Sequence, residues 1–523
     1  MAEVRDTMIN DRDRLMVELY RHRWEGVAEE MGQALTRAAL SPNIKERRDH
    51  SCALFDAAGG MIAQAAHIPV HLGAAPRCVQ AVIAHGPPAD GETWIVNDPY
   101  AGGTHLPDIT LVTPVSLGDG VRMYVATRAH HADVGGISPG SLPLSTDIHQ
   151  EGWRCPPQPL TDDLVHALCR ASRTPDERLG DLAAQRAANA LGVRRVQSLA
   201  ASFGAERCLR QIEALVAYTR ERVRAWASRL PQHTEEHRAF LDDARGTGGP
   251  VALRLRLTTA PGHLCFDFSE SDAQVAGPMN APRAIVDAAV VYALLCMVGG
   301  DLPANAGVWS VVETITRPGT LVDPLPPAAV AAGNVETSQR LVDLCFDALA
   351  KLFPGDVPAS SYGTMNNLLI GSLPGATRAF VSYETLGGGH GGGPRGPGAS
   401  GMQAHMTNTL NTPIEALEHA FPLRVWAYGL RRGSGGQGQH PGGEGLVREI
   451  EVLEPAEVTL LGERRRFPPP GREGGEDGAP GVQYRVAPSG ERTQLPGKAT
   501  FTLQAGERVR VETPGGGGWR PAR

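Results

Sequence analysis

Lysine is nearly missing from this chain of 523 residues: Lys45, Lys351 and Lys498 are the whole complement, beside abundant arginine. None of the three stands in a G-x-x-x-x-G-K-[ST] loop, so the sequence carries no recognisable ATP motif of its own. An excess of basic charge is missing too. A net charge of −7 and a pI near 6.2 argue against nucleic acid as the main partner and against a basic membrane-surface protein. No apolar run approaches the ~18 residues of a transmembrane helix. The charged opening Met-Ala-Glu-Val-Arg-Asp lacks the apolar core of a signal peptide. The eight cysteines form no C-x-x-C pair, and most fall in apolar runs such as Leu-Leu-Cys296-Met. Reduced, buried thiols of a cytoplasmic protein are expected. There is no fixed-period repeat.

Glycine and proline are in excess. With 62 Gly and 41 Pro they make up about one residue in five, against a usual share of roughly 12%. Because 41% of the chain is hydrophobic, collagen, a coiled coil and wholesale disorder are excluded. The length suits roughly two to four domains. Composition shifts suggest an N-terminal α/β domain over 1–245, a central α/β domain with Gly-rich loops over 246–455, and a small β-rich segment over 456–523. The expected fold class is mixed α/β, multidomain, with mixed sheets and a β-rich ending.

Apolar residues at a helical period predict a helix over 12–40. Ser51–Phe55 and Met61–Ala65 read as a hairpin, as do Ile109–Leu117 and Val121–Thr127 around Gly118-Asp-Gly120. Helices are expected over 72–85, within 161–230, and near 282–298 and 337–352. Strands are expected at 93–96, 251–257, 263–268, 379–383, 447–452, 456–461 and 508–512. Residues 387–445 read as long glycine-rich loops. Those loops and the Gly515–Gly518 tail mark places where backbone would approach a metal, a substrate or a partner.

Most potential metal ligands fall in three blocks: Glu46-Arg-Arg-Asp49-His50-Ser51-Cys52, Asn97 to Asp108, and Arg128 to Gly136. Pro107 keeps His105 and Asp108 off a helix, so the pair lies on a turn where both side chains can converge. His130 and His131 close a strand. Neighbouring strand residues face opposite ways, so one of the two joins His105 and Asp108 while the other does not. Asp49 immediately precedes a strand. Imidazole and carboxylate donors at strand ends suit a divalent Zn, Mn or Fe with open positions, and the lack of thiolate disfavours a structural zinc. His67 and His71 are separated by Pro69, so they cannot be a helical zinc pair and instead support the site or the structure. Gly136-Ile-Ser138-Pro-Gly140 mimics a nucleophile elbow, but Pro139 lacks the backbone N–H that the elbow needs. Gly387, Gly389 and Gly392 mimic a dinucleotide fingerprint, but Pro394 and Pro397 stand where a helix would start.

These blocks, with His67-Ile-Pro-Val-His-Leu-Gly73, Gln150-Glu-Gly152, Gly333-Asn-Val-Glu-Thr-Ser338, Gly387–Gly393, His405-Met-Thr-Asn408, Glu463-Arg-Arg-Arg466 and Thr513–Gly518, resemble the hydantoinase B/oxoprolinase family. The resemblance runs from about residue 12 to the end of the chain. That family takes in the B-type subunits of ATP-dependent N-methylhydantoinases, the C-terminal half of 5-oxoprolinases, and subunits of acetone and acetophenone carboxylases. The resemblance implies a catalytic metal centre held by Asp49, His105, Asp108 and His130, with Zn versus Mn open. It also implies an actin-like, hydantoinase A-type ATPase partner in a hetero-oligomer, which phosphorylates the carbonyl of a small cyclic amide. Asp98, Asp133, Glu151, Asn334, His405 and His131 are expected near the site. Trp153-Arg-Cys155, Leu410 and the ending Trp519–Arg523 depart from the family pattern and bear on the substrate. The leading expectation is the hydrolytic subunit of a hydantoin, 5-oxoproline or lactam hydrolase. A ketone carboxylase subunit and a non-catalytic scaffold are the alternatives.

Overall fold

The computed structural model describes residues 11–522, apart from 66, 118–121 and 301. The first helix, α1 (Asp11–Ala38), buries Trp24, Val27, Ala28, Met31 and Leu35 on one stripe. That is the 3.6-residue period of its apolar residues. A short turn, α2 (Pro42–Lys45), leads into a six-stranded sheet. Its strands are β1 (His50–Phe55), β2 (Met61–Gln64), β3 (Trp94–Val96), β4 (Asp108–Ser116), β5 (Arg122–His130) and β6 (Gln158–Pro159), in the order β2-β1-β5-β4-β3-β6. Both expected hairpins are present, although the turn at Gly118–Gly120 lies outside the described residues.

This sheet is buried on both faces. Alternate residues Cys52, Leu54, Val125 and Ala129 join a core with α1, α5 (Pro175–Phe203) and α6 (Ala205–Ala227). The residues between them, Ala53, Phe55, Tyr124 and Ala126, join another core with α3 (His71–His85). Three helices fill 161–230, since α4 (Asp162–Ala171) precedes the break at Thr174-Pro175. Gly192 of α5 gives room to Met31, whose sulfur would lie 2.4 Å from any Cβ there.

A second sheet, β7 (His233–Leu241), β8 (Val251–Ala260), β9 (His263–Asp267) and β10 (Val312–Ile315), runs in the order β10-β9-β8-β7. Strand β7 is not legible in the sequence, because its His-Thr-Glu-Glu-His-Arg stretch leaves neither face strongly apolar. Strands β9 and β10 pair in parallel and the other ladders among the described residues are antiparallel, so this sheet is mixed and the others are antiparallel. Helices α7 (Arg283–Val298) and α8 (Ser338–Leu352) belong to this second core. Helix α7 reaches the first unit at Gly73, where a Cβ would lie 2.4 Å from the Ala288 nitrogen. The eight cysteines form no disulfide. Cys296 is exposed, contrary to its apolar sequence context. The last turn of α7 opens into a surface cleft lined by Trp226, Met297 and Phe353.

Two further sheets complete the fold. One pairs Val381–Thr385, Asn367–Ser372, Ala456–Leu461 and Lys498–Leu503; the other pairs Leu423–Arg431, Gly445–Val452, Arg508–Glu512, Val482–Val486 and Arg492–Leu495. Both combine strands from either side of residue 455. The stretch 387–445 is not loop alone, for it holds the helix Ile414–Ala420 and the strand Leu423–Arg431. No helix starts directly after Gly392, as Pro394 and Pro397 dictate.

The glycine excess has a structural cause. Residues 513–519 run through the middle of a bundle of extended segments. Gly515 donates to the Ala479 carbonyl, Gly516 to Gly443, Gly517 to Ser360 and Gly518 to Glu476. The direction of bonding thus returns to the same neighbour after three residues, the repeat of a polyproline-II-like rod. A Cβ on Gly516 would lie 1.9 Å from the His390 carbonyl oxygen, and one on Gly389 would lie 1.8 Å from that of Gly443. Only glycine permits such packing, as at the axis of collagen. The close approach these glycines serve is chain to chain.

Candidate metal centre

The register of β4 against β5 sets Asp108 directly opposite His130, with both side chains on the face that carries α3. The turn Thr104–Asp108 brings His105 to the same point. His105 Nε2 lies 3.1 Å from His130 Nδ1 and 3.2 Å from Asp108 Oδ1, and His130 Nδ1 is 3.3 Å from that oxygen. All three residues are buried. Donors bound to one ion at ~2.0–2.2 Å stand about 3.0–3.4 Å apart along octahedral or tetrahedral edges. The trio has that spacing.

Its hydrogen bonds point the same way. His105 Nδ1 faces the Ala331 carbonyl at 3.2 Å, so that nitrogen carries the proton and Nε2 keeps its lone pair for the cluster. A lone pair, a carboxylate oxygen and a second imidazole nitrogen then converge in a dry space, which demands a proton or a metal cation. Burial lowers the pKa of His105, but the Asp108 carboxylate reverses this and raises it overall. Burial raises that of Asp108, yet His105, His130 and His71 hold it well below the usual range. His130 Nε2 and Asn334 Oδ1 are buried and have no hydrogen-bond partner. These orphaned atoms beside a His-His-carboxylate set fit a divalent ion.

Around the trio the predicted residues divide. Asn334, on a π-helical turn Gly333–Thr337, places Nδ2 3.2 Å from His105 Nε2 and 3.5 Å from Asp108 Oδ2. Asp49 immediately precedes β1, and its carbonyl accepts the His130 N–H. Its carboxyl lies outside the tight trio and 3.7 Å from Arg47. Burial raises its pKa, with His130 and Arg47 pulling the other way. Glu151 is near enough for the charge of His105 to act on its carboxyl. It accepts the N–H groups of Val330 and Ala331 and the Ser145 hydroxyl, thereby fixing the carbonyl that orients His105. Burial pushes its pKa up to about 7.

Other candidates go elsewhere. His131 faces the opposite way and meets Gln185 at 2.9 Å, as strand alternation requires. Asp98 caps the turn at Pro99 and pairs with Arg154. Asp133 ties the turn at Gly135 and Gly140 to Arg173. His405 packs against Tyr292 and Phe346, 3.5 Å from Asp343. His71, expected to support the site or the structure, has its Nε2 3.5 Å from Asp108 Oδ2 while Nδ1 meets the Ser51 hydroxyl at 2.7 Å. Sequence reasoning missed Tyr383, whose ring covers His130 at 4.9 Å and is itself covered by Arg47 at 4.4 Å. No local motif signals that contact, though Tyr383 points inward from a fully buried strand.

The fold and this cluster define a mixed α/β protein with a buried imidazole–carboxylate centre suited to a divalent metal. The chain belongs to the hydantoinase B/oxoprolinase family, whose profile matches residues 13–521. It is 38% identical to 5-oxoprolinase 1 of Arabidopsis thaliana over 98% of its own length, spanning 42% of that protein. It is 28% identical to the B-type subunit of a putative D-/L-hydantoinase from a Pseudomonas species, covering 97% of this chain and 90% of that one. The crystal structure of the ATP-dependent caprolactamase from Pseudomonas jessenii superimposes with a TM-score of 0.89 at 25% identity, over 98% of this chain and 92% of that one. Among the described residues no helix is long and apolar enough to cross a membrane.

Proposed function

We propose that this chain is the metal-dependent hydrolytic subunit of an ATP-dependent cyclic amidohydrolase, acting on a hydantoin, 5-oxoproline or related lactam. The observation that carries the reading is the convergence of His105, Asp108 and His130 within 3.3 Å of one another in a buried space. Relatives that bear the names 5-oxoprolinase and hydantoinase, and a caprolactamase of the same fold, support the substrate class. A partner ATPase subunit phosphorylates the carbonyl oxygen of the substrate in this scheme. The absence of a Walker-type loop from these 523 residues fits that division, as does the hydantoinase relative's own standing as a subunit.

An unstrained cyclic amide is a weak electrophile, and phosphorylation of its oxygen creates a leaving group. Asp49, His105, Asp108 and His130 would hold a divalent ion, Zn or Mn. Such an ion supplies Lewis acidity and brings the pKa of water near 7. The protein's own share is orientation and exclusion of solvent. Ala331 holds the proton of His105 on Nδ1, and Tyr383 covers His130. His71 steadies the far oxygen of Asp108. Asn334 presents its amide at the edge of the trio, where a substrate oxygen or amide would meet it.

The test is metal analysis of the purified chain and of Asp108→Asn and His105→Ala, followed by lactam and hydantoin hydrolysis with ATP, with and without the partner ATPase. We expect about one divalent ion at this centre per wild-type chain, loss of that ion in both variants, and turnover only with the partner present. Full metal content in the variants would refute the ligand assignment. ATP-dependent turnover by the isolated chain would refute the division of labour.

A further inference from the structure

A second group of metal-ligating side chains occupies the opposite face of β1. His50 and Cys52 are two apart on that strand and point toward α1, while Ser51 between them faces His71 and the trio. His67 joins them from the segment after β2. One ligand atom each of His50, Cys52 and His67 lie within 4.8 Å of one another. The two rings stand edge to face at 4.8 Å.

The hydrogen bonds leave lone pairs for an ion. His50 Nε2 is 2.8 Å from the Thr36 hydroxyl, while its Nδ1 is buried and has no partner. His67 Nδ1 accepts the Cys52 backbone N–H at 3.1 Å. Burial pushes His67 down to about 4, which keeps that imidazole neutral. Gly32 of α1 makes the space, because a Cβ there would come within 2.6 Å of His67 Nε2.

A surface cleft of about 350 Å³ opens beside α1, lined by Glu25, Glu29 and His22 from the helix and by Gln64 and Ala65 from the segment that leads to His67. Burial holds the Cys52 thiol far above its ordinary value and the Glu29 charge raises it further, so a thiolate forms there only against a bound cation. A thiolate there would supply part of the charge that a buried divalent ion needs. Sulfur with imidazole suits Zn²⁺ rather than the hard cations that carboxylates alone prefer.

We propose that His50, Cys52 and His67 form a second, sulfur-containing site for Zn²⁺, separate from the trio. On binding, the Cys52 thiol proton passes to solvent and a metal–sulfur bond forms. His50 Nδ1 donates its free lone pair. His67 Nδ1 exchanges its bond from the Cys52 N–H for a bond to the ion. The ion gives up hydration water in return. Such a site ties α1 to the first sheet.

Co²⁺ titration of the full chain, stripped with chelator, tests this. Wild type should develop a near-ultraviolet thiolate-to-cobalt charge-transfer band, and Zn²⁺ should abolish it. Cys52→Ser should lose the band. Should that core variant fail to fold, His67→Gln, at a half-buried position, should weaken cobalt binding at this band at least tenfold. His105→Ala, which disables only the sulfur-free trio, should keep the band in full, so failure of the trio assignment is distinguishable. Cobalt bound by wild type without a thiolate band, or a band unchanged in Cys52→Ser or His67→Gln, would overturn the proposal.

Discussion

Glu336 is a buried carboxyl on the same π-helical turn as Asn334, and its titration should be measurable in the stability of the protein. One of its oxygens accepts the Met365 N–H at 3.0 Å and the Asn367 amide at 2.7 Å. Burial pushes its pKa from 4.5 to about 8, only partly offset by Thr364, Arg465 and Lys498. The folded chain therefore binds this proton more tightly than the unfolded chain does. Stability from this group is fully present below pH 4.5 and is lost as pH rises through 8. At ~1.4 kcal/mol for each pH unit, the loss comes to about 3 kcal/mol at pH 7 and about 5 kcal/mol well above pH 8. Glu336→Gln reproduces the neutral form, keeps an acceptor for both N–H groups and cannot ionise. Urea unfolding followed by tryptophan fluorescence at pH 5 and pH 8 would compare the two proteins. The fixed cost of the amide cancels in the difference between pH values. Between the two, the balance should move toward the variant by roughly 3 kcal/mol. A gap between variant and wild type that stays flat with pH, or moves the other way, would refute the reasoning.

Three further outcomes are expected. His131→Gln should retain the wild-type metal content while His130→Gln loses about one ion per chain, as read by elemental analysis of the purified chains, because only His130 faces Asp108. Glu151→Ala should fold but bind metal roughly 10–100-fold more weakly, measured by competition with a chromogenic chelator, because the carbonyl that orients His105 loses its support. Gly516→Ala should cost more than about 3 kcal/mol or abolish soluble expression, since its methyl would enter the His390 carbonyl; an unchanged melting temperature would contradict the packing described.

How far the sequence was legible depends on the range of the interaction. Strand alternation left one of His130 and His131 to join the trio, and the structure brings His130 there. Pro107 announced the turn that carries His105. Polar residues beside glycine were harder to interpret. Asp98 and Asp133 belong to those same glycine-rich blocks, yet their carboxylates are used up by local N–H groups and by Arg154 and Arg173. Asn334 meets His105 across 229 residues of sequence, and only the family motif pointed to it. Tyr383 had no such pointer. His405, from an equally distinctive motif, is drawn away by Asp343. Strand β7 was invisible because its burial is partial along most of its length.

The glycine bundle constrains the order in which this region can be assembled. Residues 513–519 lie at its axis, and the segments they bind near 360, 390, 440 and 476 all precede them in sequence. Those earlier segments do bond to one another in part, as Gly398 does to Pro441 and Gly443 to His390. Without the axial rod, however, the carbonyls of Gly443, Ser360, Glu476 and Ala479 lose the partners they find in Gly516, Gly517, Gly518 and Gly515. Few apolar side chains on those glycine-rich stretches could substitute for the missing bonds. A nascent chain must therefore hold this region open until residues 513–519 have been made. Emergence of that stretch from the ribosome then becomes the event that closes the bundle, and a chain cut short before residue 513 would be left with polar backbone and nothing to bury it.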